Sequence, residues 1–73
     1  MLQLVNISPA MKTKRVRDRW GYETEAQFVV VQYYDVTHNS QGTVERRVYE
    51  KYIEGRGYLR YIKWQGKEVF LQQ

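Results

Sequence analysis

The chain predicts an all-β fold: a single small domain, residues 1–73, of five to six antiparallel strands in meander order. Such strands would curl into an SH3-like or similar small barrel, or into a strongly bent sheet. Three observations carry this. Residues 28–36 are almost unbroken Val, Tyr and Phe, types that suit a pleated surface and lose rotamer freedom in a helix. Clusters of turn formers punctuate the chain at 37–42, 54–57 and 65–66. No window of eleven or more residues carries an apolar stripe at helical spacing.

Residues 1–7 alternate loosely, with Leu2 and Leu4 on one side. They predict a short edge strand or a loosely attached N-terminal segment, ended by Ser8-Pro9 because proline lacks the donor a ladder needs. Residues 12–20, KTKRVRDRW, read as a strand with Val16 and Trp20 on one face and Arg15, Arg17 and Arg19 on the other. A helix would scatter those arginines around its cylinder. Residues 21–25 form a turn into a long central hairpin over 26–53, with Val31 opposite Val48 and Val29 opposite Glu50. Val44, Val48 and Tyr52 then share a face. After a tight connection at 54–57, residues 58–71 form a second hairpin around Gln65-Gly66. It sets Ile62 opposite Val69, Tyr61 opposite Phe70 and Lys63 opposite Glu68, apolar against apolar and cation against anion.

A chain of this length buries only about 60% of its unfolded surface, so its core is small. With no Cys, disulfides and thiolate metal sites are excluded; with a single His as well, a zinc site is close to excluded, and no cofactor is expected. Packing of seven Tyr and two Trp must hold the fold, and a homodimer would suit so thin a core. The net charge of +4 favours polyanionic partners, though modestly. Residues 1–10 lack a basic leader and their apolar run is short, so cytoplasmic residence and no membrane partner are the expectations.

Catalysis is not expected. The single His, His38, lies in a turn without a nucleophile beside it. Asp35, Glu45, Glu50 and Glu54 have cationic neighbours and read as ion pairs, and Gly55 and Gly57 open no helix that could cradle phosphate. The basic run is the sharpest functional signal. On a strand, Arg15, Arg17 and Arg19 stand roughly 6.5–7 Å apart, a spacing that suits successive phosphates, which guanidinium groups bind well. The plainer reading is an edge strand guarded by its charges.

A second cluster mixes rings and cations: Arg46, Arg47, Tyr49, Lys51 and Tyr52, then Arg56, Tyr58, Arg60, Tyr61 and Lys63. Such surfaces hold single-stranded nucleic acid, although alternate tyrosines on a small sheet also serve as core. The pattern at 57–61 and 65–67 resembles small three-stranded sheets that lay a face on DNA, without pointing to a family. The expected nucleic-acid contacts are Lys14, Arg15, Arg17, Arg19, Arg47, Tyr58, Arg60 and Lys63, with Trp20 and Tyr22 as stacking residues and Trp64 in the core. Arg46 or Arg47 must face outward. The first functional reading is a basic β module that binds DNA or RNA. The alternative is a protein-interaction module, such as an adaptor, a small phage or viral protein or an inhibitor of a host enzyme. It would dock on an acidic protein surface through a sheet edge or an aromatic patch.

Overall fold

A computed structural model describes residues 1–71. Its regular structure is entirely extended: β1 (Leu2–Ile7), β2 (Lys12–Arg17), β3 (Glu23–Asp35), β4 (Ser40–Arg47), β5 (Tyr49–Ile53), β6 (Gly57–Trp64) and β7 (Lys67–Phe70). β1 and β2 lie end to end along one edge of β3, interrupted by Ser8-Pro9, and β4 takes the other edge. β5, β6 and β7 form a second, three-stranded antiparallel sheet.

The run over 43–53 is not one strand, which is why seven strands form where five or six were expected. It bends at Val48. The Val48 N–H still donates to the Gln27 carbonyl at 2.7 Å, after which β5 leaves β3 and pairs with β6. The central register also differs from expectation. Val31 faces Val44, and Val29 faces Arg46, four positions from the expected partners Val48 and Glu50.

A tighter turn accounts for the shift. Asp35 pairs with Ser40, and the Asp35 carboxylate accepts from the backbone N–H groups of Thr37 (3.1 Å) and His38 (3.3 Å). The His38 Nδ1 lies 2.7 Å from the second Asp35 oxygen, and this contact holds the Asp35 carboxyl below its ordinary pKa. Asn39 takes a positive φ of 49°, as this residue type tolerates. Because a four-residue offset is even, every side chain keeps the face that alternation assigns it.

The final hairpin has the expected register, pairing Tyr61 with Phe70, Ile62 with Val69 and Lys63 with Glu68. Gln65 and Gly66 have φ of 49° and 78°, the two left-handed positions of a type I′ turn, whose twist matches that of the strands.

The core lies where the inner faces of the two sheets meet. Val29 and Val31 of β3 pack on Ile62 and Trp64 of β6, ringed by Leu2, Leu4, Ile7, Val44, Val48 and Val69. The Tyr33 ring leans on Trp64 at 6.1 Å between centroids. The Arg46 guanidinium covers Trp64 from 5.6 Å, so Arg47 is the exposed member of that pair. Among the described residues no ladder joins the β1 edge to β7. The sheet is therefore strongly bent but not closed, and a groove of about 370 Å³ lined by Leu4, Ile7, Met11, Phe70 and Leu71 marks the seam. The radius of gyration is 14.0 Å, against about 11 Å for a compact chain of this length.

Two substitutions probe this packing. A Cβ on Gly42 would stand 2.6 Å from the Tyr33 hydroxyl oxygen and 2.7 Å from its Cζ. Gly42→Ala should therefore destabilise by about 1–3 kcal/mol, as overpacking does. The effect should shrink in a Tyr33→Leu background, where the ring is gone. Ile62→Ala should cost about 2–5 kcal/mol, comparable with the whole margin of so small a domain. Urea titration followed by Trp64 fluorescence measures both.

Candidate nucleic-acid interface

Cross-strand partners decide which cations are free. On the β2–β3 hairpin, Arg15 lies opposite Glu25 and Arg17 opposite Glu23. The Glu23 carboxylate reaches Arg15 at 3.5 Å and Arg17 at 3.7 Å. The expected arginine stripe thus alternates with carboxylates and carries no net charge over those four residues. Arg19 does not belong to it, because β2 ends at Arg17 and Asp18 starts a tight turn. Lys14 falls on the opposite, outer face with Lys12, Phe28 and Glu45, and it pairs with Glu45.

The bend at Val48 joins the outer faces of the two sheets. Residue 48 points inward, so its neighbours Arg47 and Tyr49 both point out, and the Arg47 guanidinium lies 5.6 Å from the Tyr49 ring centroid. A chain of contacts then runs over both sheets. Lys12 pairs with Phe28 and Phe28 with Arg47, and the Lys14 ammonium stands 5.5 Å from the Phe28 ring. Across the second sheet, Tyr49 stacks on Tyr61 at 5.7 Å and Tyr61 tilts against Phe70 at 5.6 Å. Lys63 lies over Tyr49 at 4.9 Å and Lys51 over Tyr61 at 5.3 Å. Rings buried on one side by the sheet and covered by alkyl stems gain area burial and a cation–π attraction of about 0.5–1 kcal/mol at exposed sites.

Five cations (Lys12, Lys14, Arg47, Lys51 and Lys63) face two carboxylates (Glu45 and Glu68) on this strip. Lys51 holds Glu68 at 2.7 and 3.0 Å, which raises the pKa of its ammonium against the opposing effect of desolvation. The hydrogen bond from Lys14 lowers the pKa of Glu45, again against desolvation. Those pairs leave Lys12, Arg47 and Lys63 without a carboxylate partner among the described residues.

The other expected residues are divided. Tyr58 and Arg60 point to the opposite side of β6 from Lys63. Tyr58 meets Tyr52 edge-on at 5.3 Å, while Arg60 reaches the Met11 sulfur at 3.9 Å and Glu50 at 3.9 Å. Trp20 and Tyr22 occupy the exposed tip of the β2–β3 hairpin, and Trp64 is buried as expected. Phe28 and Phe70 are not among the residues the sequence singles out for the site, and Lys12 enters there only as the first residue of the basic run. Parity along β6 and β7 points to Phe70, since Tyr61 and Lys63 share its face once the hairpin register is known. Among the described residues no cluster of His, Asp or Glu could hold a metal ion.

No family model matches the chain, and no curated protein or solved structure matches it either.

The Lys14–Glu45 pair makes a pH prediction. A carboxylate whose pKa is lowered by folding contributes stability above its unfolded pKa and loses it as pH falls through the folded value. Lys14→Ala should raise the Glu45 pKa toward the ordinary glutamate range, read from its side-chain carboxyl carbon shift in an NMR titration. An unchanged titration would mean the pair does not form in solution.

Proposed function

We propose that this chain is a small, non-enzymatic β module that holds nucleic acid by its phosphates along the outer strip. One observation carries the reading. Arg47 and Lys63 converge on the same ring, 5.6 and 4.9 Å from the Tyr49 centroid. The carboxylate directly opposite Lys63, Glu68, is bonded to Lys51 instead. Two cations whose charged groups lie over one ring, with no carboxylate partner among the described residues, suit a phosphate, which can take both without either being desolvated alone. Lys12 supplies a further cation on the same side. Such contacts are independent of base sequence and weaken as salt displaces them.

The test is fluorescence anisotropy of labelled oligonucleotides at a series of salt concentrations. Arg47→Ala/Lys63→Ala should weaken binding and make the plot of log affinity against log salt shallower, by about 0.7–0.9 in slope for each phosphate that is no longer neutralised. Arg15→Ala/Arg17→Ala should change that slope by less than half as much, since both arginines already face Glu23 and Glu25. Equal effects from the two double variants would relocate the binding surface to the hairpin. Absence of binding to single strands and duplexes at low salt would remove the reading.

The open seam favours a second reading, a protein-interaction module. Among the described residues β1 and β7 each have one unpaired edge, with the apolar groove beside them. An extended segment of a partner, or of a second copy, could add a strand there. Sedimentation across a concentration series tests the homodimer form, and a monomer throughout excludes it.

A further inference from the structure

We infer that the tip of the β2–β3 hairpin is a stacking site for unpaired bases, so that the module prefers single-stranded nucleic acid to duplex. This rests on the phosphate-binding reading and goes further, to the form of the polymer.

β4 keeps company with β3 only as far as Gln27, where Val48 makes the last bond. Beyond that point, Lys14 to Arg17 and Glu23 to Ala26 form a ribbon of two strands alone. Such a ribbon has little intrinsic stability, yet it ends in two rings that are among the most exposed of the large apolar side chains. Trp20 is 74% exposed and Tyr22 72%. Neither packs on another ring among the described residues.

The turn that presents them is tied down. One Asp18 carboxylate oxygen accepts from the Trp20 N–H at 3.0 Å and the Tyr22 N–H at 2.9 Å. The Asp18 N–H donates to the Tyr22 carbonyl at 3.0 Å, and the Gly21 N–H to the Asp18 carbonyl at 3.1 Å. Gly21 takes the positive φ of 83° that the turn requires. The one carboxylate of the tip is thereby engaged with backbone donors. The Arg19 guanidinium, 5.4 Å from the Trp20 ring centroid, has no carboxylate partner among the described residues.

A fixed turn that displays two rings and a free cation offers what an unstacked base and its phosphate would meet. A base inside a duplex has both faces covered already, so only a single strand can use the rings. Lys12 connects tip and strip. It lies six residues before Asp18 on the same hairpin, about 20 Å at strand rise, so a strand of several nucleotides would reach both.

Trp64 is buried and Trp20 exposed, so quenching of tryptophan emission by an oligonucleotide reports on the tip. The experiment titrates the full chain with oligo(dT) of about 15 nucleotides, within the usual range for one small β module, and with a closed-ended duplex of similar length. The expected result is quenching by the single strand and an affinity for it about tenfold or more above that for the duplex. Trp20→Ala removes the quenched fluorophore, so its binding is read by anisotropy of labelled strands. The variant, checked for folding by circular dichroism, should lower single-strand affinity about tenfold and leave duplex affinity unchanged. Equal or tighter duplex binding that still depends on Arg47 and Lys63 would overturn this inference and leave the phosphate-binding reading standing. So would a Trp20→Ala variant that binds oligo(dT) normally. Binding to neither probe removes both.

Discussion

Alternation carried without a break through the bend at Val48 is the constraint on which the rest depends. Residues 40–53 cross from one sheet to the other, and the Val48 N–H stays bonded to Gln27 at the crossing. No residue is inserted or skipped in the pleat there. Arg46 and Val48 therefore stay inside, over Trp64 and the core, while Arg47 and Tyr49 stay outside. A single-residue slip would invert the second sheet, sending Tyr49 and Lys51 inward and exposing Ile62. The continuity of core and outer strip is one fact seen from two sides.

The core is too small to hold so much sheet by burial alone. Four side chains form its centre, and further support comes from aromatic contacts on both faces. Tyr33 packs against Gly42 and Trp64 on the inner face, and the Lys63 and Lys51 ammonium groups lie over Tyr49 and Tyr61 on the outer one. The same packing holds lysine and arginine head groups in place above the rings. In this chain the means of stabilising a thin sheet and the proposed means of gripping a polyanion are therefore the same side chains.

Charge on a sheet is decided by the neighbour across the ladder. Seen along the chain, Arg15, Arg17 and Arg19 make the densest basic stretch, and their spacing suits phosphates. In the hairpin, Glu23 and Glu25 stand beside the first two, and Arg19 has left the strand. Lys51 and Lys63 look less promising in the sequence, each two residues from a tyrosine. Glu68 serves only one of them, and among the described residues Lys63 has no carboxylate partner beside Arg47.

By itself the sequence determined the all-β class, the Gln65-Gly66 turn and the register of the last hairpin, whereas the first turn falls at 18–22 rather than 21–25. Those follow from local chemistry: β-branched and aromatic runs, glycine where φ is positive, and a two-residue turn that leaves one pairing for Tyr61, Ile62 and Lys63. It also determined which side chains share a face in β3 to β7, though not in β1, where a bulge after Leu4 brings Ile7 to the side of Leu2 and Leu4. Tertiary structure alone decided where β4 gives way to β5, how far Val31 shifts relative to its partner, and which cations stay unpaired. These depend on interactions between residues far apart in the chain, such as Val48 with Gln27 and Lys14 with Glu45, whose energies no local pattern encodes. The candidate site was legible in composition, as rings and cations together, but its members were sorted only when two sheets shared one bent strand.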